Sequence, residues 1–289
     1  MRHAGAFGVV VAAGVTAIAA TSCAPPPSVR SVVGEAPRYE VHAVQFGTLA
    51  SFPKRSLVAG ASAADSLDIA LMIWVLRGGG RTILVDAGFA REKFIRQWKP
   101  VGYVKPSEAI AALGIRPDDV TDIVISHVHW DHADGADLFP RARIWLQRDE
   151  YDHHVTDSGT VKNRGIDADV AQMLHGLRAA GRVSLVAGDA QEIIPGVTVY
   201  TGGKHTFASQ YVGVQTRIGT VVIASDNAYM YENLERGVAI TQTLDATANL
   251  AAQARMRMIA AAPGLVVPGH DALVFTRFPV APPRVARID

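Results

Sequence analysis

Residues 127–132 read His-Val-His-Trp-Asp-His, and the apolar run Ile123-Val124-Ile125 stands just before them. The run predicts a buried strand, and the six residues predict a loop that can fold around an ion. Burying three imidazoles and a carboxylate so close together costs free energy unless they bind something. Imidazole nitrogens and carboxylate oxygens are the donors that zinc and similar divalent ions take. The stretch therefore predicts a metal site at the end of a strand.

Three later residues stand in the contexts that such a site needs. His205 follows Gly202-Gly203-Lys204, so flexible backbone precedes it. Asp226 ends an apolar strand pattern, and His270 follows another one through Pro268-Gly269. Each is a weak signal by itself, but their order and strand-end positions fit the cluster. We therefore add all three to the candidate ligands.

The complete pattern resembles the signature of the metallo-β-lactamase superfamily, over about residues 39–271. The resemblance implies an α/β fold, the αββα sandwich of that family, as one domain over residues 39–289. It also implies two divalent metal ions, with zinc expected and manganese, iron or cobalt as alternatives. The implied ligands are His127, His129 and His205 for one ion, Asp131, His132 and His270 for the second, and Asp226 as a bridge between them.

Asp86 is a further candidate near the site. It ends the run Thr82–Val85, a position that resembles the early strand-end aspartate of the superfamily. In this interpretation Asp86 orients a ligand without binding an ion. The alternative is a turn aspartate placed before Gly88.

A tyrosine three residues after the bridging aspartate points to the reaction. The segment Asp226-Asn227-Ala228-Tyr229, the following Tyr231-Glu232-Asn233-Leu234 and Trp130 in the first motif resemble the N-acyl homoserine lactonases. The resemblance implies quorum quenching by opening of the lactone ring, with a metal-bridging hydroxide as nucleophile. Tyr229 would stabilise the oxyanion and Asp131 would pass a proton to the leaving alkoxide. The alternative for Tyr229 is an aromatic residue at a strand-to-helix junction.

The metal set alone does not choose the substrate, because one fold serves many reactions. The same dinuclear site could hydrolyse another lactone, an aryl ester or an organophosphate. The segment 202–207, Gly-Gly-Lys-His-Thr-Phe, departs from the Gly-His-Thr-Pro-Gly-His run common in the lactonases, and Ala208 follows with no second histidine. From another class, the alternative is a lipoprotein that binds a ligand without catalysis.

The N-terminal region predicts export. A charged start at Arg2, an apolar run from Phe7 to Ala20 and a small-residue exit are typical of a secretory signal peptide over residues 1–23. Cys23 is the only cysteine, and its context resembles the lipobox of bacterial lipoproteins. We expect a periplasmic or membrane-anchored protein, with the Pro-rich residues 24–38 as a tether.

Composition limits the partners. Lysine and arginine number 28 against 27 acidic residues, a formal net charge of +1, so no overall field recruits nucleic acid. Hydrophobic residues make up 49 % and charged residues 19 %, which is typical of a globular protein. The expected partner is a small lactone or ester. Contact with a membrane is expected only through a lipid on Cys23.

Apolar patterns outside the cluster predict the framework. Residues 39–46 predict an edge strand. Runs at 69–76 and 82–85, joined across three glycines, predict a hairpin. Residues 245–261 predict a helix rich in Ala, Met and Arg. The polar segment 149–154 contains two histidines and could line the cleft, but we expect it on the solvated surface.

Overall fold

The computed structural model describes residues 1–14 and 36–289. Residues 1–14 are exposed and have no regular secondary structure, and the helices and strands of the described residues lie within 36–289. Cys23 and most of the predicted tether lie outside the described residues, so export, lipidation and the tether stay predictions. Within the described part of the chain, no helix is long and apolar enough to cross a bilayer.

Twelve strands form two sheets in the described residues. In chain order they are β1 (Glu40–Pro53), β2 (Ser66–Gly78), β3 (Arg81–Val85), β4 (Asp122–Val124), β5 (Arg143–Gln147), β6 (Val183–Val186), β7 (Gln191–Ile194), β8 (Val197–Thr201), β9 (Gln210–Thr216), β10 (Gly219–Ser225), β11 (Val266–Pro268) and β12 (Val285–Arg287). The larger sheet has the order β12-β1-β2-β3-β4-β5-β6, and the smaller has the order β11-β10-β9-β8-β7.

In the same described residues, eight α-helices are interspersed with these strands. They are α1 (Glu92–Trp98), α2 (Pro106–Ala109), α3 (Trp130–Ala133), α4 (Arg148–His154), α5 (Ala168–Ala179), α6 (Tyr231–Arg236), α7 (Ala246–Ile259) and α8 (Val274–Arg277). Short 3-10 turns occur at Lys54–Ser56, Ile110–Leu113, Pro117–Asp119, Asp134–Leu138 and Pro263–Leu265.

The two sheets pack face to face with helices outside them. Trp74 of β2 shares a buried cluster with Val212 of β9, so the inner faces of both sheets form one core. The other face of the larger sheet packs against Phe94 of α1 and Leu174 of α5. Helix α7 contacts β10 and buries Met256. This layering confirms the predicted αββα sandwich.

The structure confirms the predicted hairpin and corrects the predicted edge strand. β2 and β3 pair antiparallel around Gly79 and Gly80, whose φ angles of 55° and 72° suit a tight two-residue turn. β1 is not an edge strand, because it pairs with β2 on one side and with β12 on the other. The three residues of β12 are too few to show a strand period in the sequence.

Strand ends bring the site together. β3 and β4 are parallel neighbours in the larger sheet, and β10 and β11 are parallel neighbours in the smaller one. The carboxyl ends of parallel neighbours meet at one edge of a sheet, so the loops after these four strands converge. The β8–β9 connection carries His205 to the same place.

Candidate metal centre

The structure brings the seven predicted ligands together in two neighbouring groups. Donor atoms within each group lie within 4.8 Å of one another, and no other cluster of His, Cys, Asp or Glu in the described residues meets that spacing. The first group is His127, His129, His205 and Asp226, and the second is Asp131, His132 and His270. We call His127, His129 and His205 the first trio and Asp131, His132 and His270 the second trio.

The first trio points three ring nitrogens at one spot. His127 Nε2 lies 3.0 Å from His129 Nδ1, and His205 Nε2 lies 3.1 Å and 3.0 Å from these two atoms. His205 Nδ1 is 2.8 Å from the backbone oxygen of Gln242, which can only accept, so Nδ1 carries the proton and Nε2 presents a lone pair. The spacing suits one ion, since zinc–nitrogen bonds are about 2.0–2.1 Å long.

Asp226 faces both trios with different oxygens. Its Oδ2 lies 3.4 Å from His205 Nε2 and 3.7 Å from His127 Nε2. Its Oδ1 lies 3.3 Å from His132 Nε2 and 3.1 Å from His270 Nε2. This is the placement that a bridging carboxylate requires.

The second trio is more open. Asp131 Oδ2 lies 3.6 Å from His132 Nε2 and 3.8 Å from His270 Nε2. His270 Nδ1 donates to the backbone oxygen of Ala70 at 3.0 Å, so its Nε2 is left to face the cluster. Asp131 also lines the cavity above the centre, where it can reach a bound molecule.

Asp86 holds the second trio from behind. It is fully buried, and its φ angle of 61° is unusual for a residue with a side chain. Its carboxylate accepts hydrogen bonds from His132 Nδ1 at 2.8 Å, from the Ser126 backbone N–H at 2.7 Å and from the hydroxyls of Ser126 and Ser225, both at 2.9 Å. These contacts support the orienting role over a simple turn aspartate, because they fix which nitrogen of His132 faces the cluster.

The two trios differ in protonation. Burial lowers the pKa of His205 to about 3 and holds the pKa of His127 well below its ordinary value. Burial acts in the same direction on His132, but Asp226, Asp131 and Asp86 outweigh it and hold the His132 pKa well above its ordinary value. In the protein without ions, the first trio therefore presents bare lone pairs and the second trio keeps a proton that a cation would replace.

Unpartnered atoms show that the residues fit bound cations. His132 Nε2 and Asp226 Oδ1 are buried and, although they lie 3.3 Å apart, neither makes a hydrogen bond of good geometry. Buried polar atoms nearly always have a partner, so these two call for a group that the protein itself does not supply. With imidazole and carboxylate donors around both positions, two divalent ions satisfy them.

A cavity of about 210 Å³ opens above the centre. Its walls are mainly apolar and aromatic, and its floor includes four of the metal ligands. The wall residues are Leu49, Phe52, Leu57, Ile69, Trp98, Trp130, Tyr229 and Gln242. Within the described part of the chain, no lysine or arginine lines it. The Trp98 and Trp130 rings stack on each other with centroids 5.2 Å apart, which makes part of the wall rigid.

Tyr229 places a phenol hydroxyl in this wall beside the ligands. Its hydroxyl is 3.4 Å from His205 Nδ1, and its ring centroid is 5.8 Å from that of His270. Because His205 Nδ1 itself donates to Gln242, the phenol proton has no acceptor there. Burial raises the pKa of Tyr229 well above its ordinary value, with Asp226 and Asp131 adding to the effect. The phenol therefore keeps its proton and can donate a hydrogen bond to a bound molecule.

One sequence expectation near the site is wrong. Within segment 149–154, expected on the solvated surface, Glu150, Tyr151 and His154 are buried. His153 is half-buried and stacks on Phe207 with ring centroids 3.9 Å apart. The missed signal is the spacing i, i+1, i+4, which places these three residues on one face of α4.

Pocket residues were also missed. Trp98 at the end of α1 and Gln242 before α7 line the cavity, yet neither stands beside a ligand in the sequence. Only the packing of these segments over the strand ends shows that they belong to the site. The sequence itself held no pattern that could have found them.

Comparison with known proteins places the chain in a family. The family model described as the metallo-beta-lactamase superfamily matches residues 72–270, which is more than half of the chain. The chain belongs to this superfamily. The family match, together with the His/Asp cluster, confirms the prediction of a metal-dependent hydrolase.

The similar curated proteins are lactonases. N-acyl homoserine lactonase AiiA of Bacillus thuringiensis subsp. kurstaki is 32 % identical over 125 residues, which is 43 % of this chain and 44 % of AiiA. An N-acyl homoserine lactonase of a Bacillus species is 27 % identical over 188 residues, 60 % of this chain and 70 % of the relative. The chain thus spans less than half the length of AiiA.

The fold also matches a solved lactonase. The crystal structure of a quorum-quenching N-acyl homoserine lactone lactonase superposes with a TM-score of 0.70, at 22 % identity, covering 86 % of this chain and 98 % of that one. At this identity the likeness shows the shared fold. It confirms the metallo-β-lactamase architecture and leaves the substrate to be argued from the site.

Proposed function

We propose that this hydrolase opens the ring of N-acyl homoserine lactones on a dinuclear zinc centre. The observation that carries the proposal is Tyr229, a protonated phenol set in an apolar cavity beside both trios. The names of the similar curated proteins support the same reaction.

The cavity walls favour a neutral, partly apolar substrate. Phe52, Trp98 and Trp130 supply aromatic surface, and among residues 1–14 and 36–289 no lysine or arginine lines the cavity to pair with an anionic substituent. A buried charge without a partner is costly, so phosphomonoesters and carboxylated rings are disfavoured. Gln242 adds an amide that can hydrogen-bond a polar group of the substrate. An acylated lactone has this combination of an apolar chain, an amide and an uncharged ring.

The residues of the chain divide the chemistry between them. The two trios and Asp226 would hold the ions, which when bound lower the pKa of a water and polarise a carbonyl. Tyr229 donates a hydrogen bond to the carbonyl oxygen as negative charge develops there, which stabilises the transition state more than the substrate. Asp131 lines the cavity and can accept a proton and pass it to the leaving alkoxide.

The test is acid release on a panel of substrates. The chain from residue 24 onwards is loaded with zinc or manganese and followed by pH-stat. The panel holds short- and long-chain acyl homoserine lactones, a simple γ-lactone, an aryl ester, a phosphotriester and a β-lactam. We expect fast, chelator-sensitive acid release on the acyl homoserine lactones. If only the aryl ester or the phosphotriester is hydrolysed, the protein is a hydrolase but the proposal of a lactone substrate is overturned.

We also propose that the chain is exported and anchored by a lipid on Cys23. The apolar run that ends at Ala20 and the small residues before Cys23 support this proposal. The test is incorporation of labelled fatty acid in a bacterial host. We expect label in the wild type and none in Cys23→Ser, and an unlabelled wild type would overturn the anchor.

A further inference from the structure

Glu150 is a buried carboxylate close to the metal centre that the mechanism above does not use. It lies on α4 and has no exposed surface. Its Oε2 accepts a hydrogen bond from the backbone N–H of Ala208 at 2.6 Å, and its Oε1 accepts one from the backbone N–H of Val128 at 3.3 Å. One carboxylate therefore joins two loops that are 80 residues apart in the chain.

Both of these loops carry ligands of the first trio. Val128 stands between His127 and His129, and Ala208 follows His205 by three residues. The hydrogen bonds of Glu150 thus fix the separation of the two loops whose imidazoles converge. Asp86 has the corresponding place behind the second trio, where it holds His132.

The charge of Glu150 has little compensation from the protein. In the described part of the chain, no lysine or arginine forms an ion pair with it. The nearest basic group is His154, whose Nε2 lies 3.8 Å from Glu150 Oε1 and makes no hydrogen bond. A buried carboxylate with two amide donors and no cation is costly. A cation held by the first trio would offset part of that cost through space.

We propose that Glu150 is a positioning residue for the first trio, which holds the two ligand loops together and adds negative charge behind the ion. The proposal rests on the trio binding a cation and does not depend on which substrate is hydrolysed. Glu150 touches neither the cavity nor the reacting atoms, so its effect reaches the chemistry only through the ligands.

The substitution Glu150→Gln tests this with almost no change in volume. A glutamine replaces one acceptor oxygen by an NH2 group, so either the Val128 or the Ala208 N–H then faces a donor. We expect ion affinity at the first trio to fall about 10–100-fold, the loss typical when an outer partner of a ligand is removed. Glu150→Asp keeps the charge but shortens the reach, and should lose less affinity.

The measurement is a Co²⁺ titration of ion-free protein, read by the visible absorption of the bound cobalt. A His270→Ala background leaves the first trio as the only complete site, so the titration reports that site alone. The control is Asp122→Asn. Asp122 is a buried carboxylate paired with Arg81 at 2.8 Å and lies at the start of β4, away from the ligand loops. The Asp122→Asn substitution should lower the unfolding temperature of ion-free protein and leave its Co²⁺ affinity unchanged.

The outcomes separate positioning from general stability. Wild-type Co²⁺ affinity in Glu150→Gln would overturn the proposal, as would an equal loss in Asp122→Asn. If Glu150→Gln does not fold, the Co²⁺ affinity and the unfolding temperature of Glu150→Asp, compared with those of Asp122→Asn, decide instead. If Co²⁺ affinity falls in Glu150→Gln but neither the wild type nor any variant hydrolyses lactones, the positioning role is supported and only the proposed lactonase activity is overturned.

Discussion

The first and second trios meet at Asp226 but are built differently. Ring nitrogens of the first trio lie 3.0–3.1 Å apart, whereas Asp131 of the second trio is 3.6–3.8 Å from its neighbours. Burial keeps the imidazoles of the first trio neutral, and nearby carboxylates keep His132 of the second trio protonated. The first half is thus prearranged for an ion, whereas the second balances its charge with a proton until an ion replaces it.

The outer contacts repeat this difference. The first trio is held by backbone groups and by Glu150, which reaches it through two amide N–H groups. The second is held directly by Asp86 on an imidazole nitrogen. We infer that errors in loop placement affect the first trio most, and that changes in charge affect the second most.

The largest expected effect comes from removing what the trios share. Asp226→Ala removes one carboxylate oxygen from each trio. The ion affinity of both trios should therefore fall by more than the roughly 10–100-fold expected when a residue that only supports a ligand is removed. Hydrolytic activity should fall with the metal content, measured together by elemental analysis and pH-stat. Two retained ions and full turnover would show that Asp226 is not a bridge.

A change at Tyr229 can test the chemical step without changing ion binding, because Tyr229 lies beside both trios but is not one of the ligands. Tyr229→Phe should lower kcat on a lactone about 10²–10³-fold, equivalent to about 2.7–4 kcal/mol, because an oxyanion donor is lost. Metal content and KM should change little.

The matched control is Tyr231→Phe, two residues along the chain. The Tyr231 hydroxyl is buried and has no hydrogen-bond partner, and Tyr231 lies outside the cavity above the centre. Turnover should be unchanged in this variant. Equal rates for both variants would exclude the Tyr229 role.

Asp86→Asn should weaken ion binding at the second trio, as Glu150→Gln is expected to weaken it at the first. Asparagine tolerates the positive φ of this position, so the backbone can stay in place. Ion affinity of the second trio should fall about 10–100-fold. The first trio should lose less, because Asp86 reaches His127 only through Ser126. Cobalt titration in a His205→Ala background measures the second trio, and the reverse order of losses would contradict the comparison.

The smallest effect is on pH dependence. The pKa of His132 is raised in the ion-free protein, so the imidazole is protonated below that raised pKa and an ion must displace the proton. The affinity of the second trio should therefore rise with pH up to the raised pKa. The first trio releases no such proton near neutral pH, since the pKa of His205 is about 3. Calorimetry in two buffers of different ionisation enthalpy counts the protons, and equal release by both ions would remove the distinction.

Sequence patterns located the candidate ligands that follow strands, and the structure groups their donor atoms. His127 to His132 are nearly consecutive, and Asp226 and His270 end apolar runs, so local pattern alone placed them at loop starts. It failed for β1, whose second partner β12 comes from the far end of the chain. It also failed for Glu150 and His154, because the polar residue types of this segment suggested exposure although one face of α4 is buried.

The sequence by itself determined the candidate ligands, because closely spaced donors and strand ends are local properties of the chain, and the resemblance of that motif to a known signature implied the superfamily and its αββα layering. Only the tertiary structure decided how Asp226 divides its oxygens between the trios, which residues wall the cavity and what Glu150 holds. Those facts depend on contacts between segments far apart in sequence, and burial there sets both the protonation and the cost of each charge.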